Sequence, residues 1–214
     1  MIHRRTSVLL VVSVLLVGGA LWFGLSRFTD LTVAPPAIAG IFFAEPKVLE
    51  EFALQDQAGA AFQRARLLGK WTWLYFGYTS CPDACPLTLT IFNQVQQRLA
   101  QEGRDDAQAY VLVSVDPERD TPERLQVYTS YFNPKFLGVT GTPEALAQLA
   151  QQCLVLYRRT TDQQSAGGYT IDHSSNILLI DPQARLRAVF RPPHIPETLV
   201  SDWQHIQAYV QAHP

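Results

Sequence analysis

The apolar positions of this chain change their period several times, and each change marks an element. An uncharged run of nineteen residues, 7–25, comes first. At about 1.5 Å per helical residue it spans roughly 28 Å, close to a bilayer core. Residues 28–47, with APPAIAG in the middle, carry no clear period and read as a linker. From 48 onward the pattern is that of a folded domain. Residues 51–62 alternate apolar and polar around a Gln-Ala-Gly turn, which predicts an entry hairpin. The aromatic run WTWLYFGY (71–78) predicts a buried strand. In 86–103, Leu87, Ile91, Val95 and Leu99 recur every fourth residue and Gly103 follows, which predicts a helix with those four on its inner stripe.

The alternation continues to the C-terminus. AYVLVSVD (109–116) predicts a second buried strand. Thr121-Pro122-Glu123 and Thr142-Pro143-Glu144 are matching helix starts, with threonine as N-cap and proline at the first position. Between these two helices FLGVT (136–140) reads as a short strand, and LVLYRR (154–159) reads as another. Residues 160–172 read as a polar loop containing Gly167 and Gly168. A hairpin, 174–181 with 185–191, precedes a last helix, 196–212, with Leu199, Trp203, Ile206 and Val210 on one face. Strands alternating with helices, closed by a hairpin and a helix, predict an α/β sheet covered on both faces, a thioredoxin-like arrangement. The organisation is then a membrane anchor over 1–27, a linker over 28–47 and a thioredoxin-like domain with an N-terminal hairpin over 48–214.

Composition and charge narrow the setting. A chain of 214 residues holds one domain with a true core plus an appendage. A net charge of -2 and a pI near 6.2 give no electrostatic case for nucleic acid. Three cysteines are too few for a disulfide framework. The apolar run 7–25 is longer than the roughly 7–15 residues of a secretory h-region, and the A-x-A-like Ala37-Ile38-Ala39 lies well past it, so an uncleaved single-pass anchor is expected. His3, Arg4 and Arg5 precede the run and only Arg27 closely follows, which puts the N-terminus in the cytoplasm. No Ser- or Arg-rich transit signal is present, so the expected location is a bacterial inner membrane with the domain in the periplasm, an oxidising compartment.

The chemistry centres on SCPDACP. Three residues separate Cys81 from Cys85, one more than in the Cys-x-x-Cys of thioredoxin-type exchangers, and each cysteine is followed by proline. Pro82 and Pro86 disfavour helical geometry at the residues before them, and Pro86 suits the first position of a helix. Cys85 is therefore expected at or next to the N-cap, where free N–H groups favour a thiolate. Two thiols on a strand-to-helix turn make either a redox pair or half of a soft metal clamp. No second Cys or His pair follows at zinc-finger spacing. Thiolate plus imidazole suits copper better than magnesium or calcium. Of the histidines, His205 falls on the solvent side of the last helix, and His194 in FRPPH reads as a loop or capping residue. His173, after the Gly-rich loop and before the strand that should pack beside the dithiol, is the favoured third donor over an ordinary imidazole.

Three stretches, GYTSCPDACP (77–86), SVDPERDTPE (114–123) and YTIDHSS (169–175), together resemble the Sco (SenC) family, membrane-anchored copper proteins that help assemble the dinuclear copper centre of cytochrome c oxidase. FALQDQAG (52–59) and VTGTPE (139–144) are similar to that family's pattern as well. The resemblance implies a thioredoxin-like fold and copper, as Cu(I) or Cu(II), bound by Cys81, Cys85 and His173. It implies as partners the copper-centre subunit of the oxidase and other copper chaperones. Where thioredoxins carry a cis-proline facing the dithiol, this chain has Asp172-His173-Ser174, which favours metal over exchange. An alternative in which the same dithiol, with Cys81 as nucleophile, keeps the oxidase's copper-ligand cysteines reduced stays open. A peroxidase would need a Thr/Cys/Arg arrangement that is not found. Asp83 could tune the thiolates or only accept loop N–H bonds, and Asp172 could orient His173 or cap its turn. Asp116 and Asp120 are expected to fix a loop with Arg119 or Arg124. Cys153 and the aromatics Trp71, Trp73, Tyr75 and Phe76 read as packing, with Tyr78 a possible shield for the metal.

Overall fold

The computed structural model describes residues 18–19, 34–165 and 167–213. The anchor expected over 7–25 lies outside these, apart from Gly18 and Gly19. Among the described residues no helix is long and apolar enough to cross a membrane. The chain divides into two units, 1–34 and 35–214, and the sheet and the site belong to the second.

The second unit is built on an eight-stranded sheet. Its strands are β1 (Ile41–Val48), β2 (Ala53–Asp56), β3 (Ala61–Gln63), β4 (Trp71–Gly77), β5 (Gln108–Ser114), β6 (Leu137–Thr140), β9 (Ile177–Ile180) and β10 (Arg185–Phe190). They lie in the order β1-β10-β9-β4-β5-β6-β2-β3. β4, β5 and β6 run parallel, and the hairpin β9–β10 adds antiparallel to β4. Four helices connect or cover the strands: α1 (Ala84–Gln101), α2 (Pro122–Phe132), α3 (Pro143–Gln152) and α4 (Pro196–Ala212). All seven residues of β4 are buried, as expected for a central strand covered on both faces. Trp73 stacks on Phe190, and Trp71 meets Trp203 of α4 edge-on. The two Thr-Pro-Glu starts behave as expected, with Thr121 and Thr142 each accepting a backbone N–H three residues on, at 3.3 Å. This is the thioredoxin-like arrangement.

Three expectations are corrected. Most of β1 lies in the stretch read as linker. It pairs with β10 across a register shift between Phe42 and Lys47. Arg187, only 3 % exposed, donates to the Phe43 and Ala44 carbonyls at 3.4 and 3.3 Å. Its other nitrogens reach Asp181 at 3.2 and 2.9 Å. A buried guanidinium thus takes up carbonyls at the irregularity, and no local period in the sequence announces such a strand. Residues 160–172 are not a loop throughout. β7 (Tyr157–Thr161) and β8 (Tyr169–His173) form a separate two-stranded ribbon. Its residues are largely polar because much of the ribbon faces water. Finally, Leu87 is 58 % exposed, and the inner stripe of α1 is completed by Leu89 and Phe92 beside Ile91, Val95 and Leu99.

Candidate metal centre

The site sits where β4 ends and α1 begins, at the carboxyl edge of the parallel strands. Here β4 has a parallel neighbour on one side and an antiparallel one on the other, and the carboxyl ends of the strands are the edge at which open α/β sheets bind ligands. α1 starts earlier than the prolines suggested. Its N-cap is Asp83, and Cys85 and Pro86 occupy its second and third positions. Pro86 still fits, because the first turn of a helix has no use for its missing N–H. Asp83 is exposed and makes no side-chain cap, so its carboxylate acts on the turn only through its charge beside a helix N-terminus.

Cys85 is fully buried and Cys81 half-buried, and both are free thiols. The close fit beneath Cys85 depends on Gly77. A Cβ at that position would stand 2.8 Å from the Cys85 sulfur and 2.9 Å from the Tyr75 ring, so only glycine lets the helix start settle onto the strand end. His173, the last residue of β8, brings Nε2 to 3.5 Å from Cys85 Sγ. The donor atoms of Cys81, Cys85 and His173 all lie within 4.8 Å of one another. Ligand bonds of about 2.0–2.3 Å put two donors of one ion at most roughly 4.6 Å apart, so a small closure suffices to surround an ion. Two thiolates and an imidazole form a soft to borderline set suited to copper or zinc.

The other sequence candidates fall outside the cluster. His194 donates through Nε2 to the Ser175 carbonyl, 2.8 Å away, and so supports the segment behind His173. His205 is exposed on α4, and Cys153 is buried at the end of α3. Asp172 turns away from His173 to accept from Thr160 at 2.8 Å and to pair with Arg158, while His173 Nδ1 faces the Ser174 carbonyl at 3.3 Å. The loop carboxylates do what was expected and more. Asp120, with no exposure, accepts from the Thr79 N–H at 2.8 Å and from the Thr79 and Ser114 hydroxyls at 2.5 Å. Arg124 then ties Thr79 and Ser80, at 2.7 and 3.0 Å. The turn leading into Cys81 is thus fixed from beneath.

Tyr75 and Tyr78 go beyond packing. Both rings stand edge-on to His173, at 5.7 and 5.9 Å, and the Tyr75 hydroxyl points at Cys85 Sγ from 3.9 Å. Their place on or just after the strand that leads to the dithiol was the signal available for this role.

The two sulfurs are electrostatically unequal. A hydrogen bond from the Cys85 side chain, helped by His173 and the N–H groups of Asp83 and Cys85, outweighs burial and holds the Cys81 thiol down to about 4. That same hydrogen bond, then burial and the Cys81 charge, push Cys85 up. In the metal-free chain Cys81 is therefore the thiolate across the neutral range and Cys85 stays protonated. Carbamidomethylation of metal-free protein, followed by mass spectrometry from pH 5 to 9, should modify Cys81 at a rate nearly independent of pH. An ordinary thiol would lose about tenfold per unit below its pKa of about 8.5. A Cys81 rate that falls in that ordinary way contradicts the assignment.

The family model described as SCO1/SenC matches residues 44–208. An SCO2-like protein of Rickettsia prowazekii is 36% identical over 183 residues, which is 84% of this chain and 86% of that one. Among solved structures, Arabidopsis thaliana ScoI with copper bound is 33% identical at a TM-score of 0.69, covering 75% of this chain and 98% of its own. Bradyrhizobium japonicum ScoI with copper bound is likewise 33% identical, at a TM-score of 0.66, covering 76% and 99%.

Proposed function

The chain belongs to the SCO1/SenC family, and from that premise we propose that it is a copper chaperone of cytochrome c oxidase assembly. It takes up copper through Cys81, Cys85 and His173 and delivers it to the copper-centre subunit of the oxidase. Residues 7–25 anchor it in a bacterial inner membrane, with the domain on the periplasmic side. The observation that carries this reading is the convergence of two thiols and an imidazole from separate parts of the chain: Cys81 in the turn before α1, Cys85 in the first turn of α1, and His173 at the end of β8. Copper is favoured over zinc because relatives 33% identical over most of their length bind copper.

Each residue has its part. Cys85 holds the ion from the buried side and His173 from the end of the ribbon. Half-buried Cys81 offers its sulfur outward, where a donor or acceptor thiolate can reach it. Cu(I) is served by three donors, and Cu(II) takes a fourth, weaker one. Mixing copper-loaded full chain with the metal-free copper-centre subunit tests the reading. The absorption of the dinuclear centre should appear as copper leaves the chain, and copper that stays on the chain argues against delivery.

A second reading is favoured by the unequal sulfurs, which resemble the nucleophile and resolving thiol of an exchanger. The Cys81 thiolate would attack a disulfide in the oxidase subunit and expel one thiolate. Cys85 would then lose its proton to that leaving group and close a Cys81–Cys85 disulfide, expelling the target's second sulfur as a thiolate that takes its proton from water. Exchange kinetics with an oxidised target peptide, run without copper, separate the two readings.

A further inference from the structure

The geometry points to the Arg119–Tyr169–Arg159 stack as the device that positions His173 against the dithiol. This rests on the copper reading above. The two cysteines and the imidazole belong to different sheets' worth of structure. Cys81 and Cys85 follow β4 of the main sheet, whereas His173 ends β8, in a ribbon whose strands pair only with each other. The distance between His173 and the sulfurs is therefore set by whatever fastens the ribbon to the main body.

Tyr169, four residues before His173 and 6 % exposed, is the fastening point. The Arg119 and Arg159 guanidinium carbons lie 3.7 and 3.4 Å from its ring centroid. At such distances each must stand over the ring, and two guanidinium groups cannot share one face, so the ring is sandwiched between them. The Tyr169 hydroxyl donates to Asp116 at 2.7 Å, and Arg119 donates to the Tyr169 carbonyl at 3.2 Å. Arg119 is itself paired with Asp116, and Arg159 is held by both oxygens of Glu118 at 2.9 Å. All three partners on the main body, Asp116, Glu118 and Arg119, come from the loop after β5. Gly167 keeps the approach open, since a Cβ there would stand 3.3 Å from Arg119 Nη1. One further bond, from the Ile171 N–H to the Tyr78 hydroxyl at 3.3 Å, fixes β8 beside the ring that flanks His173.

Arg119, Tyr169 and Arg159 are thus positioning residues: none supplies a donor to the cluster, and each acts through β8. The test uses the full chain with Arg119→Met, which keeps bulk, and Tyr169→Leu. Arg159→Ala serves as a third variant at a half-exposed side chain whose loss the fold tolerates. In the metal-free state, cross-relaxation between the His173 ring and the Tyr75 and Tyr78 rings should fade in the variants, and amide exchange across β7 and β8 should accelerate. After loading with Cu(II) chloride, thiolate-to-copper charge transfer should remain while imidazole nitrogen coupling in the electron paramagnetic resonance spectrum weakens. Affinity should fall roughly tenfold, the scale of two cation–π contacts. A control, Leu99→Ala, removes a buried side chain of α1, and should lower global stability while leaving the ring contacts and the nitrogen coupling as in wild type. Wild-type ring contacts in all folded variants overturn the positioning role, as does a Leu99→Ala chain that loses them equally. A wild-type chain without nitrogen coupling overturns the copper reading instead, and the metal-free ring contacts still decide the stack.

Discussion

Replacing His173 with alanine is expected to weaken Cu(II) binding by on the order of 100-fold or more, because even residues that only support a ligand cost about 10–100-fold. The loss for Cu(I) should be smaller, since two thiolates already satisfy a soft cation. The fold should survive. His173 ends a ribbon strand, is partly exposed, and contributes one edge-on contact each to Tyr75 and Tyr78. Titration of the reduced full chain with Cu(II), and with Cu(I) against a chromophoric chelator, reads both affinities, and near-ultraviolet dichroism checks the aromatic packing. A variant that binds both oxidation states as tightly as wild type removes His173 from the ligand set. The partner result is that Cys85→Ser should lose both oxidation states, because Cys85 is the donor that faces His173 from inside the site.

Much of this could be read in the residues before any coordinates. The run 71–78 announced β4 because a strand buried on both faces needs apolar side chains on both. The paired Thr-Pro-Glu starts announced α2 and α3 because an N-cap is a local device, complete within four residues. The three donors were legible for a different reason: the order of strands and helices placed 173 beside 81 and 85. What stayed hidden depends on partners remote in the chain. β1 is made a strand by β10, nearly 150 residues on, and by Arg187, which no periodicity near residue 43 can reveal. The ribbon β7–β8 carries polar residues on a wet surface, so its alternation is lost, and its strand character comes from pairing alone. Tyr169 and Arg159 seemed unremarkable in sequence because their chemistry lies in a stack of one ring between two guanidinium groups, joining a loop to a ribbon.

Asp120→Ala should destabilise the domain by about 3–5 kcal/mol, the cost of stripping the partner from a buried, hydrogen-bonded charge network. The carboxylate is fully buried and accepts from one backbone N–H and two hydroxyls, with the Arg124 guanidinium 3.9 Å away. Alanine leaves Thr79 and Ser114 facing a gap with no acceptor. Asp120→Asn keeps the shape and one carbonyl oxygen but turns the other position into a donor against a donor, so about half the loss should remain. Urea unfolding of metal-free chain measures the difference, with an unchanged slope showing that the unfolded state is the same. A loss under about 1 kcal/mol contradicts the account, since that is the worth of a single ordinary hydrogen bond. The effect should not stop at stability. Thr79 and Ser80 are the residues through which Asp120 and Arg124 hold the turn into Cys81. At urea concentrations well below the transition, where the variant remains folded, copper should still bind more weakly and Cys81 should alkylate as a more ordinary thiol. The carboxylate thereby joins fold to chemistry: it fixes the strand-to-helix turn, and the turn fixes the half-buried sulfur of Cys81.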